Sequence, residues 1–414
     1  MGGPENEGDT GNLARLFGPG VLELLGKMRQ VELEQVEINI GELEIWLPQS
    51  MLVPPGVNSP AVEQKPVLQK PDHLLHEDFE PRYTEYSGTV REVTLGATRA
   101  SGGTRGSTLT IGGSTQLPFT RPDQALPRMP AISLDVFDTR VPMPKALKEH
   151  VTDVLDDPAE WARLNVQKFG ADAVTVHLLS TDPLLGNTPA RKAARTVEEI
   201  LQAVDVPLII GGCGDPRKDA ETFAEVAAIA EGERLLLNSV TADMAEARTL
   251  EPVARAAEKY GHLLLAFTGL DLNSAKELNR RIYPFLPPDR IVMDLTTVAL
   301  GYGLEYAFTI HERARIAALM GDPELQHPTI SGSTNAWAAR EAWLDLGPRF
   351  GAKEVRGPLW ETLTAMTLML AGVDIFMMMH PLAVSTVRQV ARQLGSPGTL
   401  DPDQAFDWVT FPGE

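Results

Sequence analysis

The only cysteine of the 414-residue chain, Cys213, lies in the stretch "LIIGGCGDPRKDAETF" at residues 208–223. A catalytic thiol needs a histidine or a helix N-terminus to lower its pKa, and the sequence predicts a helix start here but places no histidine beside it. A zinc site is disfavoured because Cys213 has no companion cysteine. The neighbouring Gly211, Gly212 and Gly214 are typical of a backbone that approaches another group closely. We therefore interpret Cys213 as a small residue in a crowded loop rather than a reactive thiol.

Small or polar residues follow several short apolar runs of the chain, at the points where strands would end. This set contains no lysine, no pair of histidines and no third metal ligand, so its chemistry is that of a surface that binds a large polar ligand. It does not predict activation of a nucleophile or a metal ion, and we assign no catalytic and no metal-binding residue. The set comprises Asp138, Ser180, Thr181, Gly211–Gly214, Asn238, Ser239, Thr268, Asp294, Thr296, Thr297 and Ser331–Asn335.

Several polar residues have a structural interpretation beside the functional one. Asp294 either contacts a ligand or only ties down a loop or caps a helix, because strand-end carboxylates often do so. For Asn238 we favour ligand contact, since an amide at the end of an apolar strand needs a partner. We interpret His177, inside a predicted strand, as a hydrogen-bonded core residue. His380 ends the run "MMMH", which either lines a ligand or fills the core.

The elements that would position these residues begin at about residue 130, where short apolar runs alternate with longer amphipathic segments. Continuous apolar runs are typical of strands buried on both faces of a parallel sheet. Eight β–α units over about 265 residues predict an α/β fold, a TIM (β/α)8 barrel, which typically needs about 250 residues. A doubly wound open sheet is the alternative, but the loop "DTRVPMP" after the first run has no glycine for a nucleotide. The eight runs are residues 131–137, 173–179, 207–212, 234–239, 262–268, 290–295, 328–332 and 373–379.

Helix-start signals lie between the apolar runs. They combine a capping side chain with an early acidic residue or an early proline, a pattern typical of helix N-termini. The signals are Asp157-Pro158 with Glu160, Thr196 with Glu199, and Ser274 with Glu277.

The first third of the chain differs from the predicted barrel. Two alternating runs at residues 36–47, joined by Gly41-Glu42, predict a β-hairpin, and a proline-rich linker follows up to residue 82. A second β-rich piece contains Gly112-Gly113, which we interpret as a hairpin turn. The stretch "ASGGTRGS" between its runs lacks the lysine and spacing of a phosphate loop, so we favour a surface turn over an anion site.

These patterns divide the chain into four parts. Residues 1–82 form an N-terminal extension with its linker, and residues 83–127 form a β-rich hairpin region that leads into the barrel. Residues 128–395 form the TIM barrel and residues 396–414 a C-terminal tail.

Composition excludes several classes of protein. The net charge of −19 disfavours nucleic-acid binding, which needs clustered basic residues. A single cysteine excludes an intrachain disulfide and a self-contained four-cysteine iron–sulfur cluster.

The start "MGGPENEGDTGN" is too polar and acidic for a signal peptide. The longest apolar stretch, residues 363–379, contains Gly372 and Asp374 and is interpreted as a helix end followed by a buried strand rather than a membrane span. We therefore expect a cytoplasmic protein with no membrane or nucleic-acid partner.

Six long motifs carry a resemblance to a known family. They resemble the small (delta) subunit of the corrinoid iron–sulfur protein, which belongs to the acetyl-CoA decarbonylase/synthase system of the reductive acetyl-CoA pathway. The resemblance covers about residues 85–395, while residues 1–80 look like an added N-terminal region. The motifs are "YSGTVREVTLGAT", "GGTRGSTLTIGGSTQLPF", "PAISLDVFD", "PLIIGGCGDPRKDAE", "RLLLNSVT" and "MDLTTVALGYGLEY".

The resemblance implies a TIM barrel that pairs with a large (gamma) subunit. The large subunit would carry the [4Fe–4S] cluster and a cobalamin-binding domain, with the cobalamin at the interface against the mouth of the small-subunit barrel. The cobalt would accept a methyl group from a methyl-tetrahydropterin through a methyltransferase and deliver it to acetyl-CoA synthase/CO dehydrogenase. The chain would then be a non-autonomous subunit of a methyl-transfer complex, whose cofactor supplies the chemistry. By position alone, the residues expected near the corrin are Gly212, Asn238, Thr268, Asp294, Thr296 and Ser333.

Two other functions stay open. The barrel also resembles pterin-binding methyltransferases, and as a free-standing methyl-tetrahydropterin:corrinoid methyltransferase it would hold the pterin with Asp138, Asn238 and Asp294. Alternatively, the barrel only stabilises the large subunit. The cobalamin signature DxHxxG is absent from the sequence, which argues against an independent corrinoid protein.

Overall fold

A computed structural model of the chain describes residues 83–121 and 124–396. The hairpin expected at residues 36–47, the proline-rich linker up to residue 82 and the tail beyond residue 396 lie outside the described residues.

Eight parallel strands form the predicted barrel, and all eight apolar runs are confirmed as strands. Each strand pairs with the next along the chain except β8 and β9, and the last strand, β10, pairs with both β3 and β9. A single parallel bridge between Met293 and Thr329 joins β8 to the start of β9, so the ring of strands is nearly closed. The described strands are β1 (Val93–Leu95), β2 (Leu109–Ile111), β3 (Ala131–Phe137), β4 (Ala173–His177), β5 (Leu208–Gly211), β6 (Leu236–Val240), β7 (Leu263–Phe267), β8 (Ile291–Asp294), β9 (Ile330–Gly332) and β10 (Ile375–Met378).

Helices alternate with the barrel strands, as a (β/α)8 barrel requires. The apolar stretch at residues 363–379 is a helix end followed by a strand, as predicted, and no helix of the described chain is long and apolar enough to cross a bilayer. The described α-helices are α1 (Lys145–Val151), α2 (Pro158–Gln167), α3 (Ala190–Ala203), α4 (Pro216–Ile229), α5 (Ala242–Glu246), α6 (Leu250–Tyr260), α7 (Leu272–Ile282), α8 (Leu304–Leu319), α9 (Lys353–Leu370) and α10 (Pro381–Gly395).

One of the three predicted helix starts is confirmed. Asp157 caps α2, because its carboxylate accepts hydrogen bonds from two backbone N–H groups of the first turn. The other two predictions are wrong. Thr196 lies in the middle of α3, since the helix-forming residues before it extend that helix back to Ala190. Asp271, not Ser274, caps α7, and the Ser274 hydroxyl donates to the Asp271 carboxylate at 2.8 Å.

The two short strands β1 and β2 form an antiparallel hairpin that fills the lower, N-terminal end of the barrel. Val93, Leu95 and Ile111 are buried in one cluster with inward-facing barrel residues. The hairpin is also tied to the strand starts, because the Gly96 N–H donates to the Arg234 carbonyl at 2.9 Å, just before β6. A buried apolar face of this kind gives the hairpin its stability, since an isolated two-stranded hairpin is marginal in water.

The predicted hairpin turn at Gly112-Gly113 is wrong. Val93 pairs with Ile111, so residues 96–108 connect the strands and the two glycines come after β2. They extend the pairing, because the Gly113 N–H donates to the Val90 carbonyl at 2.9 Å. Gly112 has φ +82°, and a Cβ there would lie 2.0 Å from the Arg91 carbonyl oxygen, so glycine is required by close approach rather than by a turn.

The glycine-rich stretch is a surface turn, as predicted, and its Arg105 side chain points into the protein. The guanidinium donates to the Glu233 carboxylate at 2.7 Å and to the carbonyls of Val204 and Leu201 at 2.6 and 2.7 Å. Both side chains of the ion pair are buried, at 2% and 9% exposure. Arg105 therefore anchors the hairpin connection to the barrel and is not free to bind an anion.

Helix α9 buries residues on its inward side against the barrel, and it also exposes apolar side chains on its outward side. Val355, Leu359, Leu363 and Leu370 are 36% to 52% exposed and recur at the spacing of one helix face. We refer to these four residues as the α9 outer face. A helix that is apolar on all sides is normally buried, so this face has the chemistry of a contact surface.

Replacing Arg105 with alanine should lower the free energy of unfolding by about 3–5 kcal/mol, because it leaves the Glu233 carboxylate buried without its partner. Chemical denaturation of the full chain measures this. The matched control is Arg255→Ala, which breaks the exposed Arg255–Glu251 pair and should cost at most about 1 kcal/mol. Equal losses in both variants would contradict the anchoring role of Arg105.

Candidate functional site

A cavity of about 610 Å³ opens at the upper end of the barrel, where the strands end. Its size lies in the range of small-molecule sites, about 300–1,000 Å³. Every barrel strand contributes at least one lining residue, so the cavity is the mouth of the barrel rather than a surface groove. The contributions of β3 to β10 are Asp135 with Phe137, His177, Gly211, Asn238, Phe267, Asp294, Gly332 and Met377.

Three of the six residues expected near a ligand line this cavity. Gly212, Asn238 and Asp294 all lie on its wall. Among the described residues, the Asn238 amide nitrogen contacts the Met377 sulfur, a weak acceptor, at 3.7 Å. The amide can therefore still form a strong hydrogen bond with a ligand.

The other three expected residues lie behind the wall. The Thr268 N–H donates to the Asp294 carbonyl at 3.0 Å, and the Thr296 hydroxyl donates to the Thr268 carbonyl at 2.8 Å. Ser333 is fully buried, and its hydroxyl is hydrogen-bonded to that of Ser331 at 2.9 Å. These side chains support the mouth rather than facing it.

Asp294 combines the two roles that the sequence left open. Its Oδ1 accepts a hydrogen bond from the Thr296 N–H at 2.8 Å, which fixes the loop where Thr296 takes φ +77°. Its carboxyl also lines the cavity and is only 8% exposed. Burial raises the pKa of Asp294 to about 7. The hydrogen bond from the Thr296 N–H acts in the opposite direction but has the smaller effect.

The glycine-rich loop after β5 wraps around a buried carboxylate. Asp219, in the first turn of α4, accepts the N–H groups of Cys213 and Gly214 at 2.7 and 2.9 Å. A Cβ at Gly212 would lie 2.4 Å from the Asp219 carboxyl carbon. Burial raises the pKa of the Cys213 thiol. This geometry agrees with the interpretation of Cys213 as a small residue in a crowded loop.

The interpretation of His177 as a hydrogen-bonded core residue is wrong. β4 ends at His177, two residues earlier than predicted, so the ring is half-buried at the mouth. It stacks on Phe137, with ring centroids 4.9 Å apart. Its Nε2 is 3.2 Å from Asp135 Oδ1, but their orientation makes no hydrogen bond and neither atom has another partner among the described residues.

Asp135 is a polar site residue that sequence reasoning missed, as it also missed the lining residues Asp219 and Phe267. It lies inside the apolar run of β3 and is 3% exposed, and its Oδ2 accepts the Thr334 hydroxyl at 2.5 Å. The available signal was a carboxylate within an otherwise apolar strand, which needs a partner when buried.

Asp138 does not reach the cavity. Its two oxygens accept the N–H and the hydroxyl of Ser180 at 2.8 and 2.5 Å, so it ties together the loops after β3 and β4. Burial raises its pKa.

His380 caps α10 and lies outside the cavity wall. Its Nδ1 accepts the Leu382 N–H at 3.1 Å, and Glu361 accepts the N–H groups of Met379 and His380 at 2.6 and 3.0 Å. Burial lowers the pKa of His380 to about 4 and raises that of Glu361 to about 8. Within the preceding "MMM", Met377 lines the cavity while Met378 is buried in the core, so both interpretations of that run hold in part.

The described residues contain no cluster of three side chains able to hold a metal ion. What the mouth offers instead is a set of hydrogen-bond acceptors between apolar walls. Such a site binds and orients a ligand through shape and hydrogen bonding.

Comparison with known proteins identifies the family. The family model for the CO dehydrogenase/acetyl-CoA synthase delta subunit matches residues 92–389. The chain belongs to this delta-subunit family. It is 51% identical over 360 residues to the acetyl-CoA decarbonylase/synthase complex subunit delta of Archaeoglobus fulgidus, covering 84% of this chain and 77% of that protein.

Two further delta subunits show how far the likeness extends. The Methanosarcina mazei subunit is 47% identical over 369 residues, covering 86% of this chain and 83% of that protein. The Methanocaldococcus jannaschii subunit is 38% identical over 402 residues and covers 95% of this chain and 96% of that protein. The second alignment therefore includes most of residues 1–82.

Solved structures with similar folds are dihydropteroate synthases. The enzyme from Stenotrophomonas maltophilia has 13% identity and a TM-score of 0.43, covering 67% of this chain and 95% of that one. The enzyme from Thermus thermophilus in complex with 4-aminobenzoate has 17% identity and a TM-score of 0.42, covering 73% of this chain and 99% of that one.

Because the pKa of Asp294 is raised, we expect the stability of the protein to depend on pH. Because the folded state binds this proton more tightly than the unfolded state, the free energy of unfolding should fall as pH rises from about 4 to about 7. Asp294→Asn keeps an oxygen for the Thr296 N–H but removes the charge. Above pH 7 the variant should therefore be more stable than the wild type by about 2–4 kcal/mol. Denaturation of both proteins at a series of pH values checks this, and a difference that does not shrink towards pH 4 would contradict it.

Proposed function

We propose that the chain is the small subunit of a corrinoid iron–sulfur methyl carrier, and that its barrel mouth faces a cobalamin held together with the large subunit. The observation that carries this proposal is the mouth itself, a cavity built by all eight strand ends in a member of the delta-subunit family. Membership of a complex subunit family supports the presence of partner subunits, and the motifs that resemble the corrinoid protein support the choice of cofactor.

The residues around the mouth fit the proposed cofactor. A corrin has broad apolar faces and a periphery of carboxamide groups. The loops after β4, β7 and β8 expose Leu184, Leu185, Leu270 and Tyr302, and Phe267 is exposed at the end of β7; we call these five residues the mouth rim. Inside the rim lie the neutral amides Asn238 and Asn335. The carboxyl groups of Asp135, Asp219 and Asp294 line the same cavity. An apolar rim around amide and carboxyl groups suits a ligand with apolar faces and a periphery of carboxamides.

In this proposal Gly212, Asn238 and Asp294 face the cofactor, while Thr268, Thr296 and Ser333 hold them in place. The rim residues would shield the bound corrin from water, and the amides of Asn238 and Asn335 would bind its periphery. When bound, the cofactor supplies a metal centre that accepts and releases a methyl group, whereas the barrel contributes position and shielding. The [4Fe–4S] cluster is assigned to the large subunit, because the chain has a single cysteine.

We expect the α9 outer face to contact a partner subunit of the complex. The face is apolar and exposed in the chain, and burying apolar area is the main force of stable association. It lies on a helix beside the mouth, since the strand that precedes α9 contributes Gly332 to the cavity.

The function is tested by producing the chain anaerobically, alone and together with the large subunit. We expect cobalt, iron and a corrinoid absorption spectrum in the co-purified complex, and neither metal in the chain alone. The proposal fails if the chain stays apart from the large subunit and by itself binds methyl-tetrahydropterin and methylates free cobalamin. That result would make it a free-standing methyltransferase.

Leu359→Glu and Leu363→Glu should each reduce co-purification with the large subunit at least about tenfold, because a buried unpaired charge costs more than 1.4 kcal/mol. The control is Ile229→Glu on α4, across the barrel, where Ile229 is 38% exposed. Thermal unfolding of each free chain shows that it is folded. An unchanged yield of complex would contradict the assignment, and loss of a dimer of the chain alone would show that a second copy covers this face.

A further inference from the structure

Two arginines at the lower end of the barrel, opposite the mouth, have no acidic partner within the described part of the chain. Arg234 lies shortly before β6 and Arg290 directly before β8, the strands on either side of β7. Both side chains are half-buried, and none of their guanidinium nitrogens has a hydrogen bond or an ion pair with a described residue. One nitrogen of each, Arg234 Nε and Arg290 Nη1, is fully buried. We call these two residues the lower arginine pair.

The other buried or half-buried arginines at strand starts of the lower end do have carboxylate partners. Aspartate and glutamate outnumber lysine and arginine by 56 to 37 in the sequence, so acidic partners are plentiful. A guanidinium that is withdrawn from water normally lies beside an anion, because desolvating an unpaired charge is costly. The lower arginine pair therefore has the chemistry of a site that receives an anion. The paired examples are Arg105–Glu233, Arg315–Asp374 and Arg388–Asp172, at 2.7, 2.8 and 2.9 Å.

The two charges of the pair repel each other. Burial lowers the pKa of Arg234, and the positive charge of Arg290 lowers it further. Asp289 acts in the opposite direction but has the smallest of the three effects. Its side chain is exposed, so water and salt weaken its attraction for the arginines. An anion bound between the two guanidinium groups would replace this repulsion with two attractions.

Two further titratable groups near the pair do not neutralise it. Glu233 directly precedes Arg234, but its carboxylate is held by Arg105. The pKa of His262 is lowered, mainly by burial, and its ring nitrogens are hydrogen-bonded to backbone groups at 3.1 and 2.9 Å. His262 is therefore neutral at pH 7, and the net charge at this place comes from the two arginines.

The backbone holds the pair in fixed positions beside the hairpin of β1 and β2. Arg234 has φ +55°, a left-handed value that residues other than glycine rarely adopt. Hydrogen bonds fix it from both sides, because its carbonyl accepts the Gly96 N–H at 2.9 Å and the Leu235 N–H donates to His262 at 3.1 Å. The short 3₁₀ turn Pro288–Arg290 contacts β1. Strained backbone that is held in this way is typical of binding sites, where it preorganises the binding groups.

We propose that the lower arginine pair binds a phosphate group, either as free phosphate or as the phosphate monoester of a larger ligand. A phosphate group carries close to two negative charges at pH 7 and offers oxygens on several sides, so it can accept from both guanidinium groups at once. A carboxylate has one charge and one edge of two oxygens, which suits a single arginine. The bound group would stabilise the contact of the hairpin with the starts of β6 and β8. This site is separate from the barrel mouth and does not depend on the proposed function.

Calorimetric titration of the full chain with inorganic phosphate tests the inference, with the ionic strength held constant by sodium chloride. We expect one phosphate to bind per chain. Arg290→Gln and Arg234→Asn should each weaken binding at least about tenfold, because each removes a charge-assisted hydrogen bond. Asparagine is used at position 234 because it tolerates a positive φ, and Arg234→Lys, which keeps the charge, should restore part of the affinity.

The matched control is Arg255→Gln, which removes the same charge from an exposed ion pair with Glu251. Its affinity for phosphate should equal that of the wild type. Adenosine 5′-monophosphate is the second probe and distinguishes the two sources of the phosphate group. Tighter binding than inorganic phosphate would identify a monoester of a larger ligand, and equal or weaker binding would identify free phosphate.

Thermal unfolding gives a readout that a merely structural role of the arginines would not move. In chloride alone, Arg290→Gln should unfold at the same temperature as the wild type or higher, because the substitution removes the repulsion within the pair. In saturating phosphate the wild type should unfold at the higher temperature, because a ligand stabilises the folded state that binds it. Circular dichroism confirms that each variant is folded.

Three results would overturn the inference. The first is that phosphate neither binds in the calorimeter nor raises the unfolding temperature above that in chloride of equal ionic strength. The second is that Arg290→Gln and Arg234→Asn both keep the affinity of the wild type, or that Arg255→Gln loses as much as they do. The third is that Arg290→Gln unfolds at a lower temperature than the wild type in chloride alone, which would show that Arg290 stabilises the fold without a bound anion.

Discussion

The closure of the barrel between β8 and β9 is the constraint on which the mouth depends. Within the described residues, a single backbone bridge joins these two strands, from Met293 to Thr329, and β9 has three residues. An internal ion pair holds β9 against β10 beside this seam, because the Asp374 carboxylate accepts the Thr329 N–H at 2.8 Å and an Arg315 N–H at 2.8 Å. Asp374 thereby positions the starts of β9 and β10 together. Since strands are stiff over a few residues, it also sets where Gly332 and Met377 emerge at the mouth.

The sequence predicts the barrel well because its main determinant is periodicity. Parallel strands buried on both faces appear as continuous apolar runs, and all eight runs form strands. Local capping is harder to predict, since several side chains near one helix start can compete for the same N–H groups, as Asp271 and Ser274 do. The hairpin was misassigned because Gly112 and Gly113 look the same in a sequence whether they form a turn or permit close approach.

The site was only partly predictable, for a geometric reason. Residues of one strand alternate between the barrel interior and the helices, but only the register of the closed barrel decides which set faces inward at the mouth. In β3 the inward set includes Ser133, hydrogen-bonded to Thr175 at 2.7 Å, and Asp135 and Phe137 at the cavity. The sequence shows Asp135 within an apolar run without indicating where it points. Residues near the carboxyl ends of strands, such as Asn238 and Asp294, were easier to place because the fold class alone puts them at the mouth.

The hairpin of β1 and β2 closes one end of the barrel, so the barrel is open only at the mouth in the part of the chain that the structure describes. Its apolar side chains fill the lower end, so a ligand enters and leaves the cavity only past the rim formed by the loops above. In the proposed function, a cofactor seated on the rim would close this single opening, so whatever the cavity holds could exchange only when the cofactor lifts away.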